Sequence, residues 1–286
     1  MKKNAHRFGA LLAVSLLLPF SLLVDAKEKK GDEKEVRMMR DCADVAEDKW
    51  MLFRCKKENL AAKRHNTEIF ESYFKDYANA ASDASMLSMI ESIPESISFD
   101  QVDDEGNNYL GRLTRSDSVP LIEALKSVGV SPSRRNKLRE TPLMIAVKRG
   151  LVSNAKHLIT PENIDMRNQR GNTALHIASA RGDVEMTELL LANAASMKVV
   201  NNRGLTPTDV AALKEDLMML ELLLAKGGEI NGDAIVAGNR SLWRVISLNS
   251  DSPVMQLIER YRQIKAQRQQ EAEKAAKAAE KSKKEK

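Results

Sequence analysis

The stretch Gly171 to Ala195, GNTALHIASARGDVEMTELLLANAA, cannot stand alone, and that restriction limits what the rest of the chain can fold into. It reads as a turn, a short helix, a second turn and a longer helix. Asn172-Thr173 open the first helix, where a threonine hydroxyl can accept an otherwise unused backbone N–H. Leu175 and Ala178 stand three apart and give that helix a narrow apolar stripe, which admits a close neighbour. Gly182-Asp183 end it, and Val184, Met186, Leu189, Leu190 and Leu191 give the second helix an apolar face. A hairpin of this kind has two apolar faces and only itself to bury them against.

The neighbours are present in the sequence. Thirty-two residues upstream lies ETPLMIAVKRG, with Thr141, Leu143, Ala146 and Gly150 in register with Thr173, Leu175, Ala178 and Gly182. Thirty-three residues downstream lies LTPTDVAALKE, with Thr206 and Ala211 in the same register. The second helices keep both spacings at Leu158-Ile159, Leu190-Leu191 and Leu223-Leu224, and the turn residues Asn168, Arg170 and Gly171 recur as Asn201, Arg203 and Gly204. A period of about 33 residues with the openings TPLMIA, TALHIA and TPTDVA resembles the ankyrin repeat.

The resemblance implies an all-α solenoid of stacked helix-turn-helix units. Clear repeats fall at 139–170, 171–203 and 204–236, with a divergent one at 106–136, where Leu110 aligns with Leu175, Leu125 with Leu190 and Gly111 with His176. A last atypical pair over 238–264 turns Leu242, Val245, Leu257, Ile258 and Tyr261 inward, because a terminal repeat must present a polar outer face. In the third clear repeat Thr208 stands where leucine is usual and Glu215 where glycine is, a departure that loosens the stack locally.

Two extensions flank the repeats. Residues 27–105 form a lead-in, opening on the solvated linker KEKKGDEK and holding both cysteines, Cys42 and Cys55. Ile69, Phe70, Tyr73, Phe74 and Tyr77 recur at helical spacing, and this aromatic stripe is expected to cap the open N-terminal face of the stack; a ligand groove is the competing reading. Tyr77 to Ile93 reads as a degenerate helix pair. At the other end, 265–286 is a Lys/Glu/Ala-rich tail with high helix propensity and no coiled-coil seam, expected as a frayed, solvated helix or a disordered tail.

The first 26 residues read as an address. Lys2, Lys3 and Arg7 precede an uncharged apolar run from Phe8 to Val24, and Val24-Asp25-Ala26 places a cleavage site after Ala26, the pattern of a secretory signal. An uncleaved anchor is the competing reading, but seventeen residues broken by Pro19 are at the bottom of the length a bilayer span requires. The short lysine-led signal points to a bacterial periplasm or to the medium beyond. In an exported chain an isolated cysteine pair forms a disulfide, and since one straight helix would hold Cys42 and Cys55 about 20 Å apart, the chain must bend between them. With residues 1–26 removed the formal charge of +5 becomes +3, and the +5 surplus of Glu259 to Lys286 leaves the folded body near −2.

No chemistry-bearing constellation appears. There is no phosphate loop, HExxH or paired CxxC, and nothing calls for a metal or cofactor. His65 and His157 stand alone, and the resemblance gives His176, in TALHIA, a structural role bridging neighbouring turns. Binding remains, and the resemblance implies a concave surface of turn tips and inner helices that takes protein partners. Along that surface the turn before the first repeat is acidic (Asp100, Asp103, Asp104, Glu105), and the later turns are basic: Arg134, Arg135, Lys137 and Arg139, then Arg167 and Arg170, then Arg203. Arg149, Arg181 and Lys214 hold equivalent places near the ends of the inner helices, with Lys148 beside the first. Stacking aligns these into a basic ladder suited to an acidic protein partner, although a solvated edge with no partner leaves the same pattern. The absence of interleaved aromatics argues against nucleic acid. The tail's charge suits weak contact with anionic surface groups without insertion.

The expected function is therefore a periplasmic protein–protein interaction scaffold or accessory factor with no catalytic role. A secreted effector binding a host protein, and an enzyme or small-ligand carrier using the aromatic segment, are the alternatives. Because Leu190 aligns with two other inner leucines, Leu190→Ala is expected to cost ~2–5 kcal/mol; an unchanged midpoint in urea unfolding contradicts the register.

Overall fold

Thr141, Thr173 and Thr206 each begin a helix in the same way. In a computed structural model, which describes residues 39, 49–75, 80–113, 118–231, 234–236, 240–246 and 252–284, their hydroxyls accept the backbone N–H groups of Met144, His176 and Asp209 at 3.3, 3.4 and 3.2 Å. Each bond satisfies one of the donors that a first helical turn leaves without an internal acceptor. Pro142 and Pro207 follow at the first helical position, where a missing N–H costs nothing.

In chain order the helices are α1 (Lys49–Lys75), α2 (Ala80–Ser92), α3 (Tyr109–Arg112), α4 (Val119–Ser127), α5 (Pro142–Arg149), α6 (Val152–Leu158), α7 (Ala174–Arg181), α8 (Val184–Ala192), α9 (Pro207–Leu213), α10 (Leu217–Ala225), α11 (Leu242–Ile246) and α12 (Pro253–Lys284). A 3₁₀ turn at Pro94–Ser96 follows α2. Among the described residues the secondary structure is helical apart from one antiparallel pair, β1 (Ile235–Val236) with β2 (Arg240–Ser241). Helices α3, α5, α7, α9 and α11 pack successively as an inner row, and α4, α6 and α8 as an outer row. Leu143, Leu175, Ala178 and Ala211 from the inner helices and Leu158, Leu190 and Leu223 from the outer ones are fully buried between the rows.

Two positively turned backbone positions repeat along the stack. After the inner helices, Gly150 and Gly182 adopt φ of 76° and 71°, and Glu215 takes the same left-handed turn at 57°. At the turn tips Gly106, Gly171 and Gly204 have φ between 73° and 83°, and Arg139 stands among them at 59°. Both exceptions place a Cβ where only glycine escapes the clash with the adjoining carbonyl. The third clear repeat also buries Thr208 where its neighbours carry leucine. Its hydroxyl has no hydrogen-bond partner among the described residues, and a Cβ on Gly228 would come within 2.5 Å of it.

The N-terminal extension closes the stack. Helix α2 packs on α4. Phe70 of α1 meets Tyr109 of α3 edge-on at a centroid distance of 5.2 Å, Phe74 packs on Tyr109 at a tilt at 4.8 Å, and Phe99 meets Phe70 edge-on at 5.6 Å. Ile69, Phe70 and Phe74 of the aromatic stripe are thus packed core, with Phe70 and Tyr109 fully buried. Glu71 accepts the Tyr109 hydroxyl at 2.7 Å and both Arg112 nitrogens at 2.9 Å, while the Arg112 guanidinium also lies 4.6 Å over the Phe74 ring. Burial alone would raise the Glu71 carboxyl, but Arg112 and Tyr109 outweigh it and hold it below its usual range. The helix pair expected over Tyr77 to Ile93 is a single helix, α2, among the described residues. Cys55 lies half-buried on α1; Cys42, Tyr77 and residues 1–26 lie outside the described residues.

At the other end Val254 and Ile258 of α12 are buried in the cluster around Leu220, Leu223 and Leu242. The helix does not stop with the last repeat at Ile264. It runs on through the charged segment to Lys284, steadied near its root by Arg262 lying 4.3 Å over Trp243 and by an ion pair of Lys265 with Glu229. Replacing the strained residue, Glu215→Gly, is expected to raise stability by about 1 kcal/mol. The check is the urea midpoint of the variant against the parent, and a lower midpoint overturns the strain argument.

Candidate partner-binding groove

One side-chain oxygen organises each inter-repeat turn. Asn168 Oδ1 accepts the backbone N–H groups of Arg170 and Asn172 at 2.9 and 3.0 Å, and the Asn168 N–H donates to the Asn172 carbonyl at 2.9 Å. Asn136 does the same for Leu138 and Glu140, Asn201 for Arg203 and Leu205, and Asp103 for Glu105 and Asn107, all between 2.8 and 3.1 Å. Turns so closed stack on one another. Lys137 N–H donates to the Glu105 carbonyl at 3.0 Å, Gln169 N–H to Leu138 at 2.9 Å and Asn202 N–H to Arg170 at 3.1 Å. Side-chain amides repeat the link, with Asn136 donating to Asn107 and Asn201 to Asn172, both at 2.9 Å.

His176 ties a helix to the next turn. The Thr173 N–H donates to its Nδ1 at 3.2 Å, so the ring proton sits on Nε2, which donates to the Leu205 carbonyl at 2.9 Å. Burial holds the imidazole below its ordinary value of 6.5, despite the Leu205 bond. One repeat on, Asp209 takes this place with the polarity reversed. Its carboxylate accepts from the Thr206 and Asn231 N–H groups, both at 2.7 Å. Burial raises the Asp209 carboxyl, and those bonds oppose the rise without cancelling it.

Between the turns and the inner helices runs a groove. Leu138, Arg170 and Arg203 line it from the turns, and Ile177, Val210 and Leu213 from the inner helices. Lys148, Arg181 and Lys214 complete a set of five cations around it, against the single carboxylate of Glu140. Leu138 is 47% exposed, although leucine ordinarily turns inward.

The basic residues singled out in the sequence do not form one set here. Arg170, Arg203 and Lys214 line the groove and are exposed, and their side chains have no partner among the described residues. Arg149, Arg181 and Arg167 are engaged within the stack. Arg149 donates to the carbonyls of Gly111 and Leu113 at 3.1 and 2.9 Å, and Arg181 to that of Lys148 at 2.7 Å, so each completes the C-terminal end of the preceding inner helix. Arg167 donates to the Gly171 carbonyl and to Asn202 Oδ1, both at 3.2 Å. Lys148 pairs with buried Glu140 at 2.9 Å. Arg135, Lys137 and Arg139 are exposed on the turns without lining the groove, and Arg134 faces a separate cavity with Lys63, Phe99 and Asp100. The acidic turn is partly structural too, since Asp103 closes its own turn and Glu105 accepts from Asn107 at 3.2 Å. Sequence reasoning overlooked Leu138, Ile177, Val210 and Leu213. The repeat alone could have found them, because Ile177 and Val210 occupy one position in consecutive units, as do Leu138, Arg170 and Arg203.

Comparison with known proteins agrees with this geometry. Residues 143–233 match the family described as ankyrin repeats (three copies). Residues 143–233 carry ankyrin repeats. A segment of 139 residues, 48% of the chain, is 27% identical to the transient receptor potential cation channel subfamily A member 1 of Homo sapiens, and it spans only 12% of that protein's length. Among solved structures the ankyrin repeat domain of Bcl-3, titled a unique member of the IkappaB protein family, superposes with a TM-score of 0.56 at 20% identity. That match covers 67% of this chain and 84% of the other, and at such identity it speaks for the ankyrin fold alone.

The buried histidine of the ankyrin stack has a readable consequence. A folded value held below 6.5 gives stability that is complete above 6.5 and is lost as pH falls through the folded value. Asp209, raised in the fold, has the opposite sign and adds stability as pH falls. The urea midpoint is therefore expected to fall between about pH 7.5 and about pH 5.5, and His176→Gln to flatten that fall. An unchanged pH profile in the variant would show that His176 is not its source.

Proposed function

We propose that this chain is a protein-interaction scaffold that holds a segment of an acidic partner protein in its groove, and that it works in a bacterial periplasm. The observation that carries the reading is the groove's charge: five cations face one carboxylate, and Arg170, Arg203 and Lys214 have no partner among the described residues. Cations left unpaired beside Leu138, Ile177, Val210 and Leu213 suit a ligand that offers carboxylates together with apolar side chains. Ankyrin repeats generally bind protein partners, which supports the class. The ankyrin-repeat fold is typically a non-enzymatic interaction module, and the reading is of a binder.

The location rests on the lysine-led apolar run at residues 1–26, with cleavage after Ala26. It accords with the Cys42–Cys55 disulfide expected from the sequence, which an oxidising compartment would maintain. Among the described residues no helix is long and apolar enough to cross a membrane. The positive tail adds weak attraction to anionic surface groups.

The test is affinity capture at moderate salt with two charge-reversed forms of the chain. Arg170→Glu/Arg203→Glu/Lys214→Glu is expected to lose the partner held by the parent. Arg135→Glu/Lys137→Glu/Arg139→Glu, which reverses turn charges outside the groove, is expected to keep it. Retention by the first form and loss by the second moves the interface from the groove to the turn tips.

A further inference from the structure

We propose that the groove's occupant is a segment in polyproline II conformation with acidic side chains three residues apart and an apolar side chain three residues beyond one of them. This deepens the groove reading and rests on it. The argument starts from position. Leu138, Arg170 and Arg203 occupy one place in three consecutive repeats and line one groove, so they form a row of one apolar and two cationic rungs. The spacing of that row follows from the packing. Inner helices α5, α7 and α9 pack in succession, and packed helices lie about 8–10 Å apart. The turns agree, because Gln169 N–H binds the Leu138 carbonyl and Asn202 N–H binds the Arg170 carbonyl. Each rung is thus one hydrogen bond and one residue from the next.

A ligand that meets every rung must return a side chain to one face at that interval. A polyproline II segment does so, with three residues per turn and a rise of about 3.1 Å each, hence about 9 Å per turn. Successive side chains of a β-strand point to opposite faces, so side chains three apart point in opposite directions. One turn of α-helix, about 5.4 Å, falls short, and two turns, about 11 Å, overshoot.

The backbone chemistry selects the same conformation. The Gln169 and Asn202 N–H groups and the Leu138 and Arg170 carbonyls are used between the turns themselves, so this wall of the groove is not an open strand edge for an incoming strand. Polyproline II makes no ladder of backbone bonds and needs none. Arg170 and Arg203 each present a planar fork that a carboxylate can meet with two parallel hydrogen bonds. Leu138, 47% exposed at the head of the row, has no charge to offer and selects an apolar side chain at that rung. Ile177, Val210 and Leu213 supply an apolar floor against which proline rings can lie.

The experiment uses the full chain and two labelled synthetic peptides of identical composition, followed by fluorescence anisotropy. One reads leucine-proline-proline-glutamate-proline-proline-glutamate-proline-proline-leucine, which presents the same pattern in either chain direction. Its isomer reads leucine-proline-proline-glutamate-proline-glutamate-proline-proline-proline-leucine, with the acids two apart. The first is expected to bind about ten-fold more tightly than the second, and Arg203→Glu to abolish that preference. Equal binding of the isomers, lost from both with Arg170→Glu/Arg203→Glu, overturns the spacing and leaves the groove reading intact. Binding that survives the double reversal overturns both. Binding of neither peptide overturns the polyproline pattern, and the captured partner's own response to groove reversal then decides the groove reading.

Discussion

The interaction on which the rest of this structure depends is the short bond between a side-chain amide oxygen and the backbone of its own turn. Asn136, Asn168 and Asn201 each satisfy two N–H groups that a tight turn would otherwise leave to water, and the carbonyls left over face the next turn in the row. Close stacking of the inner helices follows from it, as does the side-by-side arrangement of groove residues. Where no such side-chain oxygen is present, the architecture changes. At the next equivalent position stands Ala234, and there the chain leaves the repeated turn for the β1–β2 pair before α11 begins. In the first turn Asp103 substitutes for asparagine, its second oxygen accepting the Asn107 amide at 2.9 Å.

Much of this was legible in the sequence, for identifiable reasons. The period, the threonine starts and the paired leucines depend on local patterns repeated at fixed spacing, so the helix starts at Thr141, Thr173 and Thr206 could be read directly. Glu215 was noticed as a departure, and its left-handed backbone gives that departure a physical form. Arg149 and Arg181 show the limit of such reading. A basic residue at a repeated surface position suggests an approaching partner, whereas here the nearest acceptors are carbonyl groups of the preceding inner helix, a fact of three-dimensional stacking that no spacing reveals. The Glu71–Tyr109–Arg112 network was hidden for the same reason, since it joins residues about forty positions apart across the junction of α1 and α3.

The groove combines two uses of positive charge that composition cannot separate. Arginines that complete helix ends are fixed by backbone acceptors, and their geometry is part of the scaffold. Arg170, Arg203 and Lys214 have no partner among the described residues, and such side chains are the ones whose electrostatics respond to an arriving ligand and to salt. The apolar residues between them give a ligand area to bury, while the cations set its direction of approach. Affinity and orientation thus reside in different residues of the same repeat.

The continuation of α12 beyond the repeats bears on how this chain is seen from a distance. Residues 266–284 would extend about 28 Å as helix, and the described side chains from Ala266 through Ala275 are exposed. That length is several times the distance over which charges sense each other at physiological salt, about 8 Å. The basic tail and the nearly neutral body therefore act as two electrostatic objects on one chain. Ions or surfaces that screen or attract the outer part of the helix leave the field inside the groove almost untouched, so attachment through the tail and occupancy of the groove can vary independently.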